Sequence, residues 1–84
     1  MKFEIFWDEQ AIKDLNKLEI LIRKRIVNRI ETLAGDFTFH DVKKVQGYDV
    51  YRVRAGDYRI LFSLKENRLT ILKVGHRKNI YKGF

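Results

Sequence analysis

Arg52 and Arg54 stand two apart in the segment Tyr51-Arg-Val-Arg-Ala55, Arg59 falls between Tyr58 and Ile60, and Lys73 and Arg77 flank Gly75. Side chains two apart on a strand point to the same face. Tyr58, Ile60, Phe62 and Leu64 make an evident core face, so Arg59 points the other way. With Leu72 and Val74 also facing the core, Lys73 and Arg77 join Arg52, Arg54 and Arg59 on the opposite side. Four of these five cations are arginine, whose planar fork grips phosphate oxygens in pairs. Such an array suits holding a phosphodiester and stabilising negative charge that develops on it. The competing reading is a solvated basic surface, but a face built only for solubility mixes signs. By the same parity Leu61, Leu69 and Ile71 share the cationic side and give it an apolar floor.

The charge is divided along the chain. Residues 1–41 hold seven Lys/Arg against eight Asp/Glu, and residues 42–84 hold eleven against three. A one-sided basic field attracts polyanions: RNA, DNA or an acidic protein. Lys43, Lys44, Lys73, Lys78 and Lys82 are candidate RNA-backbone contacts. Arg23, Lys24, Arg25 and Arg29 make a second basic stripe on a helix, suited to ribosomal RNA backbone. There is no cysteine, hence no disulfide and no thiolate site. No apolar run approaches the ~18 residues of a membrane span. The N-terminus carries acids where an export signal would be apolar, so the expected location is cytoplasmic.

The elements that position these groups read as one α+β domain over residues 1–84. Met1–Trp7 alternates like a strand, and Asp8 can cap the helix that follows. Ala11, Ile12, Leu15 and Leu18 repeat at helical spacing. Ile22, Ile26, Ile30 and Leu33 mark a second helix ending at Gly35, with a break near Leu18–Leu21 where the stripe changes phase. Val42–Gln46 is an edge strand or a loop. Tyr51–Ala55, Tyr58–Leu64 and Leu69–Gly75 read as strands. Gly56-Asp57 joins the first two and Lys65–Arg68 the last two, with Asn67 suited to positive φ. The expected architecture is an N-terminal strand and a two-helix hairpin packed on a mostly antiparallel sheet of about four strands. A short tail or helix closes the chain.

Asp8-Glu9-Gln10-Ala11, Leu15-Asn16-Lys17-Leu18, Tyr51-Arg52-Val53-Arg54, Asp57-Tyr58-Arg59-Ile60-Leu61-Phe62 and Val74-Gly75-His76-Arg77 with Tyr81, in that order, resemble the RelE family of toxins within the RelE/ParE superfamily. The resemblance implies a compact domain of microbial ribonuclease shape that cuts mRNA in the ribosomal A site. It also implies a RelB-like antitoxin, with the free toxin a monomer and the inhibited form a hetero-oligomer. It places catalytic roles on Arg52, Arg54, Arg59, Arg77 and Tyr81, with neither metal nor cofactor. A ParE-like toxin would share the fold and poison DNA gyrase without nuclease chemistry. A plain RNA-binding module would keep the basic face and cut nothing. The cationic set and the tail tyrosine favour the nuclease.

The family has lysines where this chain has Arg52 and Arg54, and the interval from Arg77 to Tyr81 is shorter than in its best-known member. An arginine hardly gives up its proton, so both positions turn toward phosphate grip and away from proton transfer. Tyr81 offers a phenol for proton transfer or a ring for base stacking. His76 has acid–base chemistry but the parity of the core, which makes it structural. His40 has no companion ligands for a metal site.

Overall fold

The computed structural model describes residues 2–35, 42–47 and 49–80. Strand β1 (Glu4–Trp7) leads through Asp8 into helix α1 (Glu9–Asn16). Asp8 is extended at φ −68°, ψ 150°, and its Oδ2 accepts the Gln10 N–H at 3.2 Å, satisfying a first-turn donor that no carbonyl can reach. Lys17 to Glu19 separate α1 from helix α2 (Ile20–Gly35), close to where the stripe changes phase. Ile26, Ile30, Leu33 and Ala34 are the buried side of α2.

Four further strands follow: β2 (Lys43–Lys44), β3 (Tyr51–Ala55), β4 (Tyr58–Lys65) and β5 (Arg68–His76). The sheet runs β1-β5-β4-β3-β2. Among the described residues it has five strands rather than about four, because Val42–Gln46 does contribute an edge strand, two residues long. β1 lies parallel to β5, from Glu4 opposite Arg68 to Trp7 opposite Ile71, and the other pairings are antiparallel. One face packs on the helices through Phe62, Ile60, Val53, Leu69, Ile71 and Val74, all buried with Ile26, Ile30 and Leu33. Tyr51 stacks on Phe62 at 5.8 Å. Among the described residues no helix is long and apolar enough to cross a membrane.

β5 departs from simple alternation. Leu61 pairs with Lys73, but its neighbour Phe62 pairs with Ile71, so Leu72 is an extra residue. A bulge of this kind puts two residues opposite one and resets the parity beyond it. Leu69 and Ile71 therefore belong to the helix-side core, not to the cationic side, and Leu72 leaves the side of Val74. Leu72 instead packs against Leu61 on the opposite face, where Val50 and Ile80 complete a second small core with Val45. The floor of the cationic face is real, but of the three expected residues only Leu61 belongs to it, joined by Leu72, and it is covered by the chain itself. The β4–β5 turn also differs from expectation: Glu66, not Asn67, takes the positive φ of 58°. Left-handed backbone costs a residue with a side chain roughly 1–2 kcal/mol.

Because β1 ends at Trp7, the outer edge of β5 beyond Ile71 has no strand partner among the described residues. Helix α1 covers that stretch. Asp14 Oδ2 accepts the Val74 N–H at 3.1 Å, and its Oδ1 accepts from Gln10 Nε2 at 2.8 Å. Replacing Asp14 with alanine orphans a partly buried donor, which costs about 1–3 kcal/mol. The urea midpoint of Asp14→Ala should fall accordingly, and Asp14→Asn, which keeps an acceptor, should recover most of the loss.

Candidate functional site

The face away from the helices is built in two rows across the strands. Lys43 of β2 lies opposite Arg52 of β3, which lies opposite Leu61 of β4, which lies opposite Lys73 of β5. Nearer the β3–β4 turn, Arg54 lies opposite Arg59, which lies opposite Gly75. Adjacent strands sit about 4.8 Å apart, so the backbones carrying Arg52 and Lys73 are roughly 10 Å apart, with Leu61 between. Like charges directly opposite on neighbouring strands oppose folding. The Arg54–Arg59 pair is thus a cost to the fold.

The cations are not equivalent. Arg54 is exposed, whereas Arg59 is only 9% exposed. The Arg59 Nη1 donates to the carbonyls of Gly56 (3.3 Å) and Tyr58 (3.2 Å), so the guanidinium braces the turn from within. Arg52 and Lys73 are half-buried and engaged with neighbours. Arg77 follows β5 directly, its side chain exposed, and its backbone N–H donates to the Asp57 carbonyl at 2.9 Å. That bond ties the end of β5 to the β3–β4 turn and brings the backbones of Arg54, Arg59 and Arg77 to one end of the sheet.

The turn after β5 winds back on His76. The Asn79 and Ile80 N–H groups both donate to the His76 carbonyl, and the Lys78 N–H donates to His76 Nδ1 at 3.2 Å. The His76 ring meets Tyr58 edge-on at 5.6 Å. With Nδ1 occupied as an acceptor and the ring against Tyr58, His76 serves the local fold, as its parity implied. Ile80 is buried over Gly75, where an added Cβ would sit 3.3 Å from Ile80 Cδ1. The missing side chain at Gly75 thus admits a close approach, and what approaches is the chain's own Ile80.

Lys43, Lys44 and Lys78 are exposed around this face. Tyr81, Lys82 and His40 lie outside the described residues. Among the described residues no group of three His, Asp or Glu could hold a metal ion. Sequence reasoning missed Val50 and Ile80 as the cover of the floor; the available signal was an isolated isoleucine in an otherwise cationic tail. It also left Arg29 on the outside of α2, whereas the Arg29 Nε donates to the Arg54 carbonyl at 2.9 Å.

A model of the ParE toxin of the type II toxin–antitoxin system parDE matches residues 5–81. The chain is 34% identical over 86 residues to the toxin RelE3 of Methanocaldococcus jannaschii, covering 96% of this chain and 98% of that one. Two solved structures share the fold at a TM-score of 0.77. One is the archaeal RelE–RelB complex from Pyrococcus horikoshii, 28% identical over 94% of this chain and 99% of the other. The second is the RelB–RelE antitoxin–toxin complex from Methanococcus jannaschii, 33% identical over 94% of this chain and 98% of the other.

Proposed function

Since the chain belongs to the RelE/ParE superfamily of type II toxins, we propose that it is a ribosome-dependent endoribonuclease that cuts mRNA in the A site. Its inhibitor would be a RelB-like antitoxin, the partner named in the related complexes. The observation that carries this reading is the convergence of Arg54, Arg59 and Arg77 at one end of the sheet beside the row Lys43, Arg52 and Lys73.

The reaction is attack of the ribose 2′-oxygen on the adjacent phosphorus, with release of the 5′-oxygen. The 2′-hydroxyl loses a proton, the leaving oxygen gains one, and the product keeps a cyclic phosphate. In between, the phosphorus carries extra negative charge. Fixed guanidiniums aimed at that charge are each worth about 10²–10³ in rate, by analogy with other preorganised donors. Arg52 and Arg54 hold the phosphate, and Arg59 and Arg77 stabilise the charge that develops. Tyr81 takes part by proton transfer or by stacking a base. Arginines are poor general bases, and the imidazole of His76 is engaged elsewhere. A ribosome that holds the mRNA in an attack-ready geometry supplies part of what the face lacks.

The antitoxin's contact cannot rest on a bare apolar floor, because Val50 and Ile80 already cover Leu61. Acidic groups that meet Arg54 or Lys73, or displacement of the tail, remain as routes to inhibition.

The test compares purified protein on free mRNA with the same mRNA on ribosomes whose A site is empty. Cleavage should be weak on the first and rapid on the second. Equal rates on both would remove the ribosome requirement, and no cleavage together with gyrase inhibition would favour ParE-like action.

A further inference from the structure

Among the described residues β2 pairs only with Tyr51 and Arg52, and none forms a strand beside the outer edge of β3 beyond Arg52. Helix α2 overlooks that edge. Arg25, Asn28, Arg29 and Thr32 from the helix, with Arg54, Ala55 and Gly56 from the strand and turn, line a surface cleft. Two guanidiniums lean into it. The Arg29 Nε bonds the Arg54 carbonyl, which fixes the plane of its fork and leaves both Nη groups for another ligand. Arg25 Nη1 reaches the turn, 3.2 Å from where a Cβ on Gly56 would stand. In an antiparallel strand a residue's N–H and C=O point to the same side. The Arg54 N–H therefore faces the same edge as its carbonyl, and no strand among the described residues pairs with it there. Among the described residues none of Arg25, Arg29 and Arg54 has a carboxylate partner.

We propose that this cleft is a second phosphate site, taking the sugar–phosphate backbone of an RNA strand beside the cleavage face. The inference rests on the reading of the chain as an RNA-directed toxin, and adds a contact that the cleavage chemistry does not need. Forked donors suit phosphate, and one held in plane by a backbone carbonyl has lost its freedom before the ligand arrives. Arg54 joins the two places. Its backbone borders the cleft, while its side chain belongs to the row with Arg59 on the other face. An RNA backbone crossing the β3 edge would thus be held on both sides of it.

The experiment titrates a 2′-O-methyl RNA oligonucleotide, which lacks the attacking hydroxyl and stays intact, against the full chain over a series of salt concentrations. Arg25→Gln is the test variant, since its side chain is exposed. Lys13→Gln, an exposed change on α1 whose cation pairs with Glu9, is the control. Losing one phosphate contact should lower the slope of log affinity against log salt by about 0.7. Arg25→Gln should show that drop and weaker binding, Lys13→Gln neither. Lys13→Gln should also cleave at the parental rate on ribosomes. An unchanged slope in Arg25→Gln overturns the proposal while leaving ribosomal cleavage by the parent intact. A lowered slope without any cleavage by the parent would instead sink the nuclease reading and keep the site. Arg25-dependent binding of polyglutamate with Arg25-independent binding of RNA overturns it in favour of an acidic protein, and so does failure of the parent to bind RNA at about 50 mM salt.

Discussion

Arg77→Ala is expected to slow single-turnover cleavage on ribosomes by about 10²-fold or more and to leave the unfolding midpoint close to that of the parent. The side chain is exposed, and the anchor at this position is a backbone bond, N–H to the Asp57 carbonyl, which alanine keeps. Arg59→Ala should slow cleavage on the same scale but also lower stability. The residue is 9% exposed, and its guanidinium donates to the Gly56 and Tyr58 carbonyls. Removing it leaves partly buried acceptors without that partner, at about 1–3 kcal/mol. Arg59→Lys separates charge from shape, since an ammonium lacks the fork that reaches both carbonyls. Single-turnover rates and urea melts on the three variants decide the matter. If Arg77→Ala cuts like the parent, the cleavage site lies elsewhere. If Arg59→Ala loses stability while its folded fraction cuts normally, Arg59 is a brace for the turn and nothing more.

The reasons some of this was legible in the sequence are local. Asp8 before a helical stripe, the alternation from Tyr51 to Ala55, and Gly56-Asp57 between two strands each depend on residues a few positions apart. Arg52, Arg54 and Arg59 were placed correctly because those strands alternate without interruption. What escaped depends on partners far along the chain. The bulge at Leu72 is a property of the β4–β5 pairing, and nothing in Leu69-Thr-Ile-Leu-Lys73 marks which residue is extra. Lys73 kept its predicted side only because Leu72 and Lys73 both lie toward the cationic face once the bulge is present. Leu69 and Ile71 were misassigned for the same reason. The parallel pairing of β1 with β5 is equally non-local, since more than sixty residues separate Glu4 from Arg68. Burial of Arg59 was hidden because an arginine on a wet-looking face gives no sign that its guanidinium will turn back onto the Gly56 and Tyr58 carbonyls.

That tail contains the second large effect. Ile80 is 1% exposed, packed with Val50 and Leu61 and seated on Gly75. Truncating a buried isoleucine to alanine costs about 2–5 kcal/mol, a large share of the roughly 4–12 kcal/mol that a chain of this length has in total. Ile80 also closes the turn that begins at His76 and contains Arg77, through its N–H to the His76 carbonyl at 3.0 Å. Loosening it should let Arg77 wander, and a displacement of about 1 Å at a reacting group can cost on the order of 10²-fold in rate. Ile80→Ala should therefore lose both stability and cleavage on saturating ribosomes, measured at a temperature where the variant is still folded. Ile80→Val, which removes a single methylene at about 0.5–1.5 kcal/mol, should keep most of both. Gly75→Ala should fall between them, because the tight contact of its added Cβ is with the mobile Cδ1 end of Ile80 at 3.3 Å, while the Ile80 Cα stands at an ordinary 3.9 Å. Parental stability in Ile80→Ala would mean the tail is not seated on this face in solution. Lost stability with an unchanged rate would mean the seat supports the fold and does not aim Arg77.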